Sequence, residues 1–535
     1  MKRRHPCTLP TLMLATVLAA CSGEHETSRP QLVFLGVDGA TWEVIKPMVE
    51  AGELPNFGQV LAEGSHGTMM TLGPQVSPVI WTTFVTGLFG RQHGILDFTY
   101  PYTPGPKVPV QSGQRLEPAL WNLASDAGQS VAVVGYFASH PAEEVNGVMV
   151  TDRAIQNLSD SVYPADYLAE HQKDLNSGSS VSGRRKLFAR FFDWPHRFNA
   201  DQAHLASLNP AQREATSMVA RRVDSNLIAS EYLRRVTRFL MDRERFDLLI
   251  TYFRNVDYAS HSLWWYHNDD GYPDKPDPAV DALLEPVVAE SYRYADDVLG
   301  EILDRMQPQD SLLIVSDHGF GSATGDYAIN GPNPHRLNGN HRPDGIIAGF
   351  GPAFASGQEV AGVTILDVMP LLLKLMDLPL ADDLPGTIPF DLLSPEVADR
   401  PVKTVPDYNR RNVSGGIVEV DDQAQQEALR QLRGLGYINE DFESGQRDEE
   451  FEFWQIPPNM LLEHVAGEVI FHILRDNPQV ARSILRQAAA SRPELARVFE
   501  NYVRRIWSLL ERRFPSDVLD PGKLTTFESG QAANP

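Results

Sequence analysis

At 535 residues the chain is long enough to bury a large core, and we expect more than one structural unit. Its 47 Lys and Arg residues stand against 70 Asp and Glu residues, which gives a formal net charge of −23. Because that charge repels nucleic acid and anionic lipid surfaces, no nucleic-acid polymer is expected as a partner unless bound cations reverse the sign locally.

The first residues are typical of an export signal that ends in a lipidated cysteine. Three basic residues precede an apolar segment that is too short to span a bilayer, and Cys21 follows it. Leu18-Ala-Ala-Cys21 resembles a bacterial lipobox, so we expect residues 1–20 to be a lipoprotein signal peptide and residues 21–30 a polar tether. The protein would then be exported and anchored by lipid at a bacterial membrane, on the outer membrane facing the periplasm in a Gram-negative source. An ordinary signal peptide with an incidental cysteine is the alternative.

Short apolar runs alternate with helical patterns over residues 31–400. The runs lie at 31–37, 131–134, 147–150, 246–252, 312–315 and 345–348, and helical patterns include 54–62, 227–241 and 287–306. A continuous apolar run that contains β-branched residues is typical of a strand buried on both faces. The alternation predicts an α/β fold with a mostly parallel central sheet sandwiched by helices.

Other regions depart from this alternation. Residues 155–224 are polar and interrupted by proline, which predicts an inserted cap. We interpret residues 401–457 as a linker with a short helix over 421–433, and residues 458–514 as a C-terminal helical region that begins its last helix with a capping box. The apolar face of that region is open to three interpretations, which are packing, dimerisation and docking of a partner protein. We expect residues 515–535 to be a disordered tail.

Ser77 is a candidate nucleophile. It directly precedes Pro78, which predicts that the following apolar helix begins after the serine. A hydroxyl held at the start of a buried helix can serve in catalysis, although a plain N-cap is the commoner role of serine at such a position.

Three carboxylates and three imidazoles follow predicted strands or lie in the loops beyond them. Taken singly, each has a commonplace interpretation as a turn residue, a helix cap or a surface pair. The carboxyl ends of parallel strands form the sheet edge where ligands bind, so these side chains are expected to converge there. Nitrogen and oxygen ligands together suit zinc, with manganese as the alternative, and two ions about 4 Å apart can each take three protein groups and share a phosphate. The six residues are Asp38, Asp257, His261, Asp317, His318 and His341.

With these residues in place, the chain resembles the alkaline phosphatase superfamily, and within it the phosphodiesterase and nucleotide pyrophosphatase branch. The resemblance covers residues 32–393. It rests on Val37-Asp-Gly, Leu54-Pro-Asn-Phe, the segment 77–94, Asp257-x-x-x-His261, Ser316-Asp-His-Gly, Gly339-Asn-His-Arg-Pro and the segment 367–379.

The resemblance implies a ligand set and a reaction. One zinc would be held by Asp257, His261 and His341. The other would be held by Asp38, Asp317 and His318, with Ser77 as its fourth ligand. Ser77 would attack phosphorus as a metal-activated nucleophile and form a phosphoserine intermediate that water then hydrolyses.

Two positions depart from the branch. Serine stands at the nucleophile position where the branch usually has threonine, and Phe98 stands where the branch has an asparagine that binds a phosphoryl oxygen. Arg342 and Arg153 are candidates by charge to bind that oxygen instead. No Cys-x-Pro-x-Arg motif occurs, so formylglycine sulfatase chemistry is disfavoured.

The favoured function is an exported, metal-dependent hydrolase of small phosphoric esters, acting on diesters. A phosphomonoesterase or phosphotransferase of the same superfamily is the first alternative, since serine occupies the nucleophile position. A non-catalytic lipoprotein that binds a partner is the second.

Overall fold

A computed structural model of the chain describes residues 31–100, 108–156, 160–179, 209–276, 278–327, 338–408 and 456–529, together with residues 429 and 453. The predicted signal peptide, the tether with Cys21 and the middle of the predicted cap lie outside these residues, as does the helix predicted over 421–433 except for residue 429. Within the described ranges, no helix has the length and apolar character needed to cross a bilayer.

The strands and helices are numbered in chain order. The strands are β1 (Leu32–Val37), β2 (Ser65–Met70), β3 (Thr99–Tyr100), β4 (Val108–Pro109), β5 (Val131–Val134), β6 (Gly147–Val150), β7 (Val162–Tyr163), β8 (Leu248–Phe253), β9 (Ser311–Val315), β10 (Gly319–Ser322), β11 (Gly339–Arg342), β12 (Asp344–Phe350), β13 (Gln358–Thr364), β14 (Leu380–Ala381) and β15 (Thr404–Val405). The helices are α1 (Trp42–Glu50), α2 (Pro55–Glu63), α3 (Ser77–Thr86), α4 (Gly90–His93), α5 (Leu120–Asp126), α6 (Gln172–Leu175), α7 (Pro210–Arg243), α8 (Asn255–His267), α9 (Pro278–Leu284), α10 (Pro286–Leu303), α11 (Val368–Leu375), α12 (Pro395–Ala398), α13 (Pro458–Leu474), α14 (Pro478–Ser491), α15 (Ala496–Glu511) and α16 (Pro521–Ser529).

The central sheet has nine strands in the order β13-β2-β12-β9-β1-β8-β5-β6-β7. β1 lies at its middle and pairs in parallel with β8 and β9, and β5 pairs in parallel with β8 and β6. β12 runs antiparallel to both of its neighbours, and β7 closes one edge antiparallel to β6. The predicted α/β class with a mostly parallel sheet is confirmed.

The sheet is buried on both faces, which explains why its strands are continuous apolar runs. In β1, Val33 and Leu35 face a core cluster that includes residues of α1, α2, α8 and α10. Phe34 faces the opposite cluster, to which α3, α5 and α11 contribute. Alternate side chains of a strand point to opposite faces, so one strand supports both helical layers.

The C-terminal helices extend the core on the α3 side of the sheet. Leu461 and Val465 of α13 and Trp507 of α15 are buried in the cluster that also holds the apolar residues of α3. Of the three interpretations left open for this region, the structure therefore shows packing against the rest of the chain.

The predicted tail needs one correction. Residues 521–529 form helix α16, where a disordered segment was expected. Leu524 and Phe527 pack against the core cluster, and the Lys523 ammonium donates to the Leu474 carbonyl at 2.7 Å. Two apolar side chains on one short helix are a weak sequence signal. Contacts with three other helices fix the segment, since Arg482 of α14 donates to the Phe527 carbonyl and Arg504 of α15 pairs with Glu528, in addition to the contact with α13.

Candidate metal centre

The polar residues predicted to converge lie at the carboxyl ends of three adjacent central strands. Asp38 directly follows β1, and Asp257 lies in the first turn of α8, which begins after β8. Asp317 and His318 connect β9 to β10. Because β1 pairs with both β8 and β9, these strand ends meet at one edge of the sheet.

His261 and His341 complete this group from a second direction. His261 lies one turn beyond Asp257 on α8, so both side chains point from the same helix face. His341 lies on β11. This strand pairs antiparallel with β10, which begins directly after His318. All six residues are buried.

Asp257, His261 and His341 form one cluster whose ligand atoms lie within 4.8 Å of one another. The Nε2 atoms of His261 and His341 are 2.8 Å apart, and they lie 3.3 and 3.5 Å from Asp257 Oδ1. Two imidazole nitrogens and one carboxylate oxygen aimed at a common point form a set that can bind a metal ion.

Asp38, Asp257 and His318 form a second cluster, whose ligand atoms also lie within 4.8 Å of one another. His318 Nε2 lies 3.6 Å from Asp38 Oδ1 and 4.0 Å from Asp257 Oδ1. Asp317 Oδ2 lies 3.3 Å from the same nitrogen. The Asp257 carboxylate is therefore within reach of both clusters, and the two clusters adjoin.

The orientation of the three imidazoles is fixed by backbone carbonyls. Nδ1 of His261, His318 and His341 lies 3.2, 3.1 and 3.0 Å from the carbonyl oxygens of Gly339, Gly319 and Gln75. A carbonyl only accepts, so each Nδ1 carries the proton and donates it. The Nε2 lone pair is then left for a metal, which is the usual arrangement around protein metal ions.

Electrostatics at this edge favour neutral histidines among crowded carboxylates. Burial, followed by the nearby Asp317 and Asp257, raises the pKa of Asp38 well above its usual range. Burial raises the pKa of Asp317 to about 7. Burial also lowers the pKa values of His318 and His341, which keeps both imidazoles neutral.

Asp257 behaves differently from the other two carboxylates. Burial disfavours its charged form, but protons held between it and the Nε2 atoms of His261 and His341 outweigh burial and lower its pKa well below the usual range, a role that a metal ion bound there would take over. The centre therefore holds one strongly ionised carboxylate between two that resist ionisation. Cations placed among the three would relieve this repulsion.

Several buried polar atoms at this edge have no hydrogen-bond partner among the described residues. They are Asp38 Oδ1, Asp317 Oδ2, His318 Nε2 and Ser77 Oγ. Leaving a buried polar group unsatisfied costs about 1–3 kcal/mol, and native proteins leave few of them. Atoms of this kind concentrated at one point, all of them metal-ligand types, fit a metal centre.

Ser77 is the first residue of α3, and its side chain is only 1% exposed. The prediction that the helix begins after the serine is wrong by one residue, because Val76 is the N-cap and Pro78 lies in the first turn. Proline is tolerated there, since its missing N–H has no acceptor within the helix. The Gln75 carbonyl, which accepts from His341, lies two residues before Ser77. The segment that carries the serine therefore contacts one of the metal-ligand residues.

The two arginines predicted to bind a phosphoryl oxygen are engaged by backbone carbonyls. The Arg342 guanidinium donates to the carbonyls of His341 at 3.0 Å and Asn340 at 3.2 Å, and Arg153 donates to Val110 at 2.8 Å. Their role in binding substrate stays a prediction. Phe98 is buried against Phe137, with 5.8 Å between the ring centroids.

Sequence reasoning did not identify two further residues at this edge. The Tyr252 hydroxyl donates to Asp38 Oδ2 and so orients that carboxylate. Arg254 follows β8 directly, and its positive charge interacts with Asp38 and Asp152. Both residues lie within five positions of Asp257. Their position at the end of a buried strand is the sequence signal that could have identified them.

Comparison with known protein families identifies one family. The family model described as type I phosphodiesterase / nucleotide pyrophosphatase matches residues 32–363. Among solved structures, human ectonucleotide pyrophosphatase / phosphodiesterase 5 is 15% identical and matches with a TM-score of 0.40, covering 68% of this chain and 100% of that one. An inactive variant of the murine protein in complex with AMP is 13% identical, with a TM-score of 0.39 and the same coverage. No curated protein sequence matches the chain.

Proposed function

This chain belongs to the type I phosphodiesterase / nucleotide pyrophosphatase family, and from that membership we propose that it is an exported, metal-dependent phosphodiesterase that uses Ser77 as its nucleophile. The family supports hydrolysis of phosphoric esters as the reaction class. The observation that carries the finer proposal is the group of unsatisfied buried atoms of Asp38, Asp317, His318 and Ser77 at one sheet edge.

Two ions are proposed because the donor atoms fall into two adjoining clusters. Asp257, His261 and His341 would hold one ion. Asp38 and His318, with Asp317 beside them and the Asp257 carboxylate within reach, would hold the other. Bound there, zinc or manganese supplies Lewis-acid activation of a hydroxyl and neutralises charge on the phosphoryl oxygens.

Ser77 is the residue that reacts. Its Oγ has no hydrogen bond to any described side chain. No described histidine is therefore placed to accept its proton as a general base, in contrast to a serine hydrolase. Oγ loses its proton and attacks phosphorus in line, the bond from phosphorus to the ester oxygen breaks, and the departing alkoxide takes up that proton to become the free alcohol. Water then attacks the phosphorus bound to Ser77, the phosphorus–Oγ bond breaks, and Oγ takes a proton from the water as the phosphate monoester leaves.

Helix α3 assists this step through its direction. Ser77 stands at the N-terminal end of a ten-residue helix, where the helix dipole is positive. An anionic phosphate bound at Ser77 is stabilised there, and the same end stabilises the charge that develops on the phosphoryl oxygens.

A phosphomonoesterase or phosphotransferase is the second candidate. It is favoured by serine at the nucleophile position and by Phe98, which offers no donor to a phosphoryl oxygen. Hydrolysis rates of 4-nitrophenyl phosphate and bis(4-nitrophenyl) phosphate decide between the two. Faster hydrolysis of the diester supports the phosphodiesterase, and faster hydrolysis of the monoester supports the alternative.

The proposal as a whole is tested by the same ester panel with and without a chelator and with Ser77→Ala. We expect activity to disappear in chelator and to return when zinc is added. Full activity in chelator or in Ser77→Ala would overturn the mechanism. Ser291→Ala is a matched control, because the hydroxyl of that buried serine donates within α10 to Val287 and the residue belongs to neither cluster.

Export and the lipid anchor are supported by the basic and apolar pattern before Cys21. Mass spectrometry of the mature N-terminus tests this part separately. A lipidated cysteine is expected at Cys21, and Cys21→Ser should release the protein from the membrane. An intact N-terminus that begins at Met1 would contradict it.

A further inference from the structure

A cavity of about 290 Å³ opens beside His341, and the C-terminal helices form one of its walls. The wall on the metal-centre side comes from residues 73–75, which precede Ser77, and from Asn340 and His341. The facing wall comes from Glu463 on α13 and from Tyr502, Arg505, Ile506 and Leu509 on α15. The C-terminal helices, which have no role in the proposed reaction, therefore lie at the edge of the proposed reaction site.

The C-terminal wall is fixed to the rest of the protein by close backbone packing. A Cβ atom added to Gly467 of α13 would lie 2.1 Å from the Gly73 carbonyl oxygen, so the helix touches the loop that leads to Ser77. Only glycine permits this approach.

Polar contacts reinforce the same interface. Glu468 of α13 pairs with Arg91, and its carboxylate is only 8% exposed. The His464 ring donates from Nε2 to the Leu96 carbonyl at 3.2 Å. The Arg513 guanidinium, just beyond α15, pairs with Asp344 at the start of β12. The helices therefore hold a set position relative to the metal centre.

The cavity walls indicate what can occupy it. An engineered apolar cavity of about 150 Å³ binds benzene, so this cavity has room for a group of one or two rings. Tyr502, Ile506 and Leu509 offer aromatic and aliphatic surface, and Glu463 offers a carboxylate that accepts hydrogen bonds. Arg505 lies at the exposed rim.

We propose that this cavity binds the alcohol portion of the substrate, and that Glu463, Tyr502 and Leu509 of the C-terminal helices determine which esters are accepted. The alcohol is a compact one, with an aromatic or aliphatic body and a hydrogen-bond donor that faces Glu463. This inference rests on the proposed function, because it presumes that a phosphoryl group lies between the metal ligands and Ser77. Contacts between the cavity and the alcohol would position the ester for in-line attack.

Leu509→Trp tests the proposal, because indole would fill the cavity from α15. Bis(4-nitrophenyl) phosphate has an aromatic alcohol without a hydrogen-bond donor, so it tests the apolar wall of the cavity, and we expect its KM to rise at least tenfold. The inhibition constant of inorganic phosphate, which has no alcohol portion, should stay within twofold of wild type, as should the metal content. Ser508→Trp is the matched control, since Ser508 is the exposed neighbour on the same helix and is not part of the cavity wall.

Tyr502→Ala is a second variant that removes contact surface without adding bulk. It should raise KM for the diester several-fold and leave the inhibition constant of inorganic phosphate unchanged. Unchanged KM in both Leu509→Trp and Tyr502→Ala would overturn the proposal, and so would an equal rise in KM and in the phosphate inhibition constant. If wild-type protein hydrolyses no phosphoric ester at all, the proposed function fails instead, so the two failures are distinguishable.

Discussion

The Nε2 atoms of His261 and His341 face each other across 2.8 Å. Each ring donates its Nδ1–H to a backbone carbonyl, so both Nε2 atoms carry lone pairs. Two lone pairs directed at each other repel, whereas a cation between them binds both. Asp257 Oδ1 lies within 3.5 Å of both nitrogens and would complete the ligand set.

Metal content should respond differently to His341 and to Asp257. His341 belongs to one cluster, so His341→Ala should lose one of two bound ions. The Asp257 carboxylate belongs to both clusters, so Asp257→Asn should lose both. Elemental analysis of protein dialysed against trace zinc measures this directly.

His267→Asn is the control for those two variants, because His267 ends α8 and belongs to neither cluster. It should retain the wild-type metal content. Equal loss in Asp257→Asn and His341→Ala would show that Asp257 is not shared between two ions.

Gly36→Ala should destabilise the protein and reduce its activity. A Cβ atom at Gly36 of β1 would lie 2.5 Å from the Trp81 ring of α3. That ring and the neighbouring Tyr252 ring are both buried. We expect a loss of about 1–3 kcal/mol in the free energy of unfolding, as for other overpacked cores. The reaction rate should fall too, because Trp81 belongs to the helix that begins at Ser77.

Gly58→Ala is the matched control for this substitution. Gly58 lies inside α2, and the nearest atom to an added Cβ is a Val49 methyl at 3.3 Å. Alanine is favoured over glycine in a helix by about 1 kcal/mol, so the variant should be as stable as wild type or more so. Denaturant unfolding followed by fluorescence compares the two. A Gly36→Ala variant as stable as Gly58→Ala would contradict the packing argument.

Arg475→Met should weaken the attachment of the C-terminal helices. Arg475 pairs with Asp367, whose carboxylate is only 2% exposed and also accepts from Thr364 and Thr387. Removing one partner of a buried pair costs about 3–5 kcal/mol, and we expect the lower end of that range because Arg475 is partly exposed and Asp367 keeps its other donors.

The exposed pair between Arg512 and Asp326 provides the comparison for this loss. Arg512→Ala should cost less than about 1 kcal/mol, because water and salt screen exposed charges. Both free energies come from denaturant unfolding. If Arg475→Met costs no more than Arg512→Ala, the buried pair does not anchor these helices.

Glu463 should make stability fall as pH rises from about 4.5 to 7. Burial, together with the nearby Asp97, raises the pKa of Glu463 to about 7, from an ordinary value of 4.5. In that window the folded protein binds more protons at this site than the unfolded chain does, so raising the pH favours unfolding. The Tyr502 phenol lines the same cavity, and burial raises its pKa to about 12, well above this window.

Glu463→Gln cannot ionise and should therefore remove this contribution. The variant should gain stability relative to wild type at pH 8 and show a smaller difference at pH 5. Thermal unfolding at both pH values measures the gap, with Glu494→Gln as a control at an exposed glutamate outside the cavity. A gap that is larger at pH 5 than at pH 8 would contradict the raised pKa.

Much of the fold and of the site could be predicted because the signals are local. The continuous apolar run of β1 followed by Asp38, and that of β9 followed by Asp317 and His318, place ligands at strand ends without knowledge of the fold. Asp257 and His261 share a helix face by their spacing alone. These signals come from adjacent residues, which is why the sequence carries them.

The remainder depends on contacts between distant residues. Gly73 meets Gly467 and Arg91 meets Glu468, almost 400 positions apart, so no local pattern predicts that α13 forms a wall beside the metal centre. The shared position of the Asp257 carboxylate is likewise set by contact with the turn after β1, where the Asp257 N–H donates to the Asp38 carbonyl at 3.1 Å. The hydroxyl of Tyr252 finds Asp38 only because β1 and β8 are neighbours in the sheet.

The central claim is that Ser77 carries the phosphoryl group during turnover. Acid quenching of the protein during hydrolysis of bis(4-nitrophenyl) phosphate, followed by mass spectrometry of its peptides, tests this most directly. The account predicts a 4-nitrophenylphosphoryl group on the peptide that contains Ser77, because attack on the diester releases only one 4-nitrophenol. The group should be absent from Ser77→Ala and from protein treated with chelator. Hydrolysis with no such group on that peptide at any quench time, or with the group on another residue, would contradict it.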